Sequence, residues 1–103
     1  MRMVLIRLSP SSQARVKVLN PEIAVDILWA AAVPEDRLEH VRVRGNGKST
    51  ALDIALFHND ANADAALHSE PHVDAALRLC HRAISAAPVL GGWLAEPHEQ
   101  PWH

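Results

Sequence analysis

The sequence predicts an α+β fold: a two-layer sandwich of ferredoxin-like character, with a three- or four-stranded, mainly antiparallel sheet and two helices on one face. Three observations predict it. Leu38–His58 reads as a β-hairpin around Asn46-Gly47, Arg2–Leu8 is a short aliphatic run stopped at Ser9-Pro10, and two segments of helical character flank the hairpin.

The first strand, RMVLIRL, alternates Val4, Ile6 and Leu8 with Met3, Leu5 and Arg7. Residues 11–19 set Gln13, Arg15 and Lys17 against Ala14, Val16 and Val18, the period of an edge strand or of an extended connection. Asn20-Pro21-Glu22 then opens a helix that runs to about Val33, before Pro34. Asn can cap, proline fits the first helical position, and glutamate meets the positive end of the helix dipole. This helix is apolar on nearly every side, with only Glu22 and Asp26 in a narrow polar stripe beside Trp29, so burial on two sides is expected, one of them against another subunit. Pro34–Arg37 makes a turn or a single helical turn into the hairpin.

Asn-Gly is the preferred centre of a two-residue type I′ turn, which needs positive φ at both positions. That turn pairs His40 with Asp53, Val41 with Leu52 and Arg44 with Ser49. It places Val41, Val43, Leu52 and Ile54 on one face, and His40, Arg42, Arg44, Ala51 and Asp53 on the other. After a polar loop at 59–69, a second helix is predicted over 70–87. Val73, Ala76, Leu77, Cys80, Ile84 and Ala87 form its apolar stripe, and Asp74, Arg78, His81, Arg82 and Ser85 its opposite side. Pro88 breaks it and Gly91-Gly92 reads as a joint. The expected domain is 1–94, with 95–103 a flexible C-terminal tail.

Length and composition bound the function. A chain of 103 residues is one domain with one modest core. Residues 1–50 carry eight basic and five acidic side chains, while residues 51–103 carry two and seven. Neither half has the clustered Lys and Arg of a nucleic-acid footprint. One cysteine excludes an internal disulfide framework, and no segment has the length of a membrane span or the pattern of a secretory leader, so the expected location is the cytoplasm.

Four stretches invite a chemical reading. Gly45–Thr50 ends like a phosphate-binding loop but has Arg42 where the first glycine belongs, and strand where a helix should follow. Asp60, Asn62 and Asp64 match the start of a calcium loop that then fails at Ala65 and Pro71. His58, His68 and His72 gather around one loop near Asp60 and Glu70 without a compact ligand spacing. On the sheet, His40 opposite Asp53 resembles a base with its orienting carboxylate, and with Arg7, Arg42 and Arg44 it could line an anion pocket. The blander alternative is a cross-strand charge lattice. Cys80 falls on an apolar stripe and reads as core.

The sequence therefore supports a small non-catalytic interaction or regulatory module that self-associates, over a ligand-binding protein or enzyme. The expected partners are a second copy and another protein, not nucleic acid or membrane, and no cofactor or metal is expected. Met3, Leu5, Trp29 and Phe57 are the candidate interface, because exposed apolar side chains mark association surfaces.

Overall fold

The computed structural model describes residues 2–45, 50–59 and 70–98, with the backbone alone for 70–72. Strand β1 (Arg2–Pro10), helix α1 (Pro21–Ala31), strands β2 (Leu38–Gly45) and β3 (Leu52–His58), helix α2 (Glu70–Ala86) and strand β4 (Trp93–Pro97) follow in order. The strands form one antiparallel sheet in the order β2-β3-β1-β4. Both helices pack on one face, an α+β two-layer sandwich compatible with the ferredoxin-like arrangement.

The core lies between the sheet and the helices. Val4, Ile6 and Leu8 of β1 and Leu52, Ile54 and Leu56 of β3 meet Ala24 and Leu28 of α1 and Ala76, Leu79, Cys80 and Ala83 of α2. Strand alternation delivers the β1 and β3 residues of its pattern; on α2 the stripe delivers Ala76 and Cys80, while Val73, Leu77, Ile84 and Ala87 are partly buried and the fully buried Leu79 and Ala83 lie beside it. Helix α1 starts as its sequence dictates, with the Asn20 side chain accepting from the Glu22 amide at 2.8 Å and Pro21 in the first turn. It ends at Ala31, earlier than Val33, because Ala32 and Val33 already have extended backbone.

The hairpin register differs from the one the Asn-Gly turn implies. Val41 lies opposite Leu56 instead of Leu52, Val43 opposite Ile54, Arg44 opposite Asp53 and Gly45 opposite Leu52. His40 faces Phe57, not Asp53, and the connection spans residues 46–51 instead of two. The slip is four residues along β3, an even number, so each side chain keeps its face although every partner changes. Asn46 and Gly47 themselves lie outside the described residues.

Of the two readings of residues 11–19 the connection holds: residues 11–20 contain no strand and run as turns and bends. One other expectation is corrected. Beyond the glycines, Trp93–Pro97 is strand instead of joint and tail, paired with β1 from Ile6 to Pro10. Trp93, 2 % exposed, inserts into the core and its indole N–H donates to the Val16 carbonyl at 2.8 Å. Gly92 has φ +84°, and a Cβ there would stand 2.6 Å from the Cα of Ala14. The Ser11 amide donates to its carbonyl at 2.9 Å, so Gly92 is a point of tight packing instead of a loose joint. An edge strand tolerates Pro97 at its end, since no central ladder needs that N–H.

Candidate functional site

Among the described residues, no helix lies on the second face of the sheet. Residues directly opposite in an antiparallel ladder share a face, so the pairings define rows across it. The middle row is Arg44, Asp53, Arg7 and Glu96, read from β2 through β3 and β1 to β4. Its charges alternate. Arg7 Nε donates to Asp53 Oδ1 at 2.9 Å, and Arg7 Nη2 donates to His98 Nε2 at 3.3 Å. The Asp53 side chain is 9 % exposed and that of Arg7 30 %. A carboxylate so enclosed needs a charged or hydrogen-bonded partner, which Arg7 supplies.

The adjoining rows are largely apolar. Arg42, Ala55 and Leu5 stand in the first, and His40, Phe57 and Met3 in the next. The rings of His40 and Phe57 lie 5.4 Å apart at 50°. Ala55 is fully buried although no described helix or strand covers this face, while Met3 is 47 % exposed.

Of the candidate ligand residues, the structure brings Arg7, Arg44 and Asp53 together in one row. Arg42 and His40 share the face but stand one and two rows away. His40 and Asp53 are separated by about 13 Å along the strands, from roughly 3.3 Å per residue, too far for a base and its orienting carboxylate. The candidate interface residues divide between two sides. Met3, Leu5 and Phe57 lie on the open sheet face, whereas Trp29, 42 % exposed, lies on α1 in the helical layer.

Sequence reasoning missed one polar knot. Asp36, buried in a single 3-10 turn at Pro34–Asp36, accepts from the Val33 amide at 2.9 Å and from Arg82 Nη2 on α2. Arg82 Nε also donates to the Ala31 carbonyl at 3.1 Å, at the open end of α1. The Asp36 carbonyl accepts from Nδ1 of His58, a ring 3 % exposed whose Nε2 has no partner among the described residues. Only the Pro-Glu-Asp turn signal pointed there, since Arg82 sits on the polar side of its helix pattern. Beside the knot, Ala31, Arg78, His81, Arg82, Ser85 and Ala86 line an open groove of about 630 Å³.

His58 is turned into the fold. His68, Asp60, Asn62 and Asp64 and the Gly47-Lys48 stretch lie outside the described residues, as does the His72 side chain. Among the described residues, no three His, Cys, Asp or Glu side chains converge on a metal position. Cys80 is fully buried, and burial pushes its thiol up to about 12. No described helix is long and apolar enough to cross a membrane.

Comparisons of the chain with protein-family models, with curated proteins and with solved structures gave no match.

Proposed function

We propose that the protein is a non-catalytic interaction module of the cytoplasm that self-associates through the open sheet face and engages another protein as part of a larger assembly. The observation that carries this reading is the sheet face that no described helix or strand covers, bearing Met3 at 47 % exposure beside Leu5 and Phe57. Apolar side chains gathered on an uncovered sheet favour association. The alternative, an anion site built on Arg7, His40, Arg42 and Arg44, asks for positive charge left unneutralised. Asp53 stands between Arg7 and Arg44 in the same row, which favours pairing within the face over anion capture.

The test is NMR on dilution. Between about 1 mM and 20 μM, the methyl signals of Met3 and Leu5 and the ring signals of Phe57 should shift, while the Trp29 indole stays still. Shifts at Trp29 with none on the sheet would move the association surface to the helical layer.

A further inference from the structure

The order of charges across the open face contains more than its apolar content. From β2 to β4 the middle row runs plus, minus, plus, minus: Arg44, Asp53, Arg7, Glu96. Reversed, the same row runs minus, plus, minus, plus. It is therefore complementary to its own reversal, and it sets like charge on like against an unreversed copy in register.

Two copies that stack face to face are related by a twofold axis lying in the plane between them. Only two directions of that axis keep the strands aligned, the geometry in which sheets stack about 10 Å apart. With the axis across the strands and over this row, each of its residues meets its own twin, so Arg44 would face Arg44 and Glu96 would face Glu96; displaced along the strands, the same axis sets the four charges against the largely apolar rows beside them. With the axis along the strands, the row is reversed. We propose that two copies of this chain pair open face to open face about a twofold axis parallel to the strands, with Arg44 against Glu96 of the partner subunit and Asp53 against Arg7 of the partner subunit. This inference rests on the self-association proposed above and adds its orientation.

The neighbouring rows agree with that axis. It runs between β3 and β1, so it sets Phe57 over the partner's Met3, an aromatic ring against a thioether, and Ala55 over the partner's Leu5, the smallest side chain against an aliphatic one. Stacked sheets rotate by about 30°, which displaces the outer pairs most, and Arg44 and Glu96 are long enough to follow. Each charge in the row already has opposite neighbours in its own subunit, so the cross-subunit pairs choose the orientation more than they add affinity.

Charge reversal with complementation tests the orientation. Arg44→Glu gives a row that repels its own copy at both ends, and so does Glu96→Arg; mixed together, the two variants oppose glutamate to arginine at both ends. Sedimentation velocity should show each variant weakened at least tenfold as a homodimer and the equimolar mixture restored to within a few-fold of the original. Glu22→Arg, an exposed position on α1 with the same change in net charge as Glu96→Arg, should leave association unchanged. If Arg44→Glu does not fold beside Asp53, the Glu96→Arg homodimer alone decides, since Glu96 is exposed on an edge strand. Variants that dimerise as well as the original chain would overturn the orientation and leave self-association standing. A monomeric original chain at all concentrations would remove both.

Discussion

Arg7 and Asp53, separated by 46 residues in the sequence, meet across neighbouring strands at 2.9 Å on a sheet face that no described helix covers. The carboxylate is enclosed more than the guanidinium, so the two partners are not equivalent. Removing Asp53 deletes the one acid between Arg7 and Arg44 in the row. Asp53→Ala should cost about 1–3 kcal/mol in urea unfolding, toward the lower end because Arg7 can turn to water. Asp53→Asn, which keeps an acceptor, should cost less.

The contact between Asp36 and Arg82 ties α2 to the turn that leaves α1. Asp36→Ala frees the Val33 amide and Arg82 together, for an expected loss of about 1–3 kcal/mol. Arg82→Ala also uncaps the Ala31 carbonyl. The double variant should lose less than the sum of the singles, and strict additivity in the double-mutant cycle would show that the contact carries no coupling.

Gly92 and Gly45 should respond in opposite ways. Gly92→Ala brings a Cβ against the Ala14 backbone at positive φ, and a loss of about 1–3 kcal/mol is expected in a thermal melt. No described atom lies within 4 Å of a Cβ at Gly45, so Gly45→Val should fall within about 0.5 kcal/mol of the original chain. Equal damage at both sites would place Gly45 in a constrained turn.

Cys80 gives a pH dependence of definite sign. Its thiol titrates near 9.0 when exposed and near 12 in the fold. The unfolded chain therefore releases this proton first as pH rises. The contribution of Cys80 is whole below pH 9 and declines from there toward pH 12. Comparing the stability of the original chain with Cys80→Ala across that range should reveal the slope. The native thiol should also resist alkylation at pH 8 until the chain is denatured.

Sequence patterns revealed the layers but not all the pairings. Val4, Ile6 and Leu8, Val41 and Val43, and the stripe through Ala76 and Cys80 were legible because alternation and helical spacing report directly on burial. The register of β2 on β3 was not, because an even slip leaves the pattern of faces untouched and a local Asn-Gly signal cannot weigh the full ladder. Strand β4 was hidden by its length, by Pro97 and by the glycines before it; the buried Trp93 was its one readable sign. On the candidate face, Arg7, Arg44 and Asp53 could be grouped from alternation, but the exchange of His40 for Arg44 opposite Asp53 required the register, and Glu96 required the missed strand.

The central claim is that the open sheet face joins two copies of this chain. Sedimentation equilibrium from about 10 to 500 μM tests it most directly. The apparent mass should climb from 11.3 kDa toward twice that value across the range, and Met3→Glu should hold it at the monomer throughout. A mass that stays at 11.3 kDa at every concentration would contradict the claim.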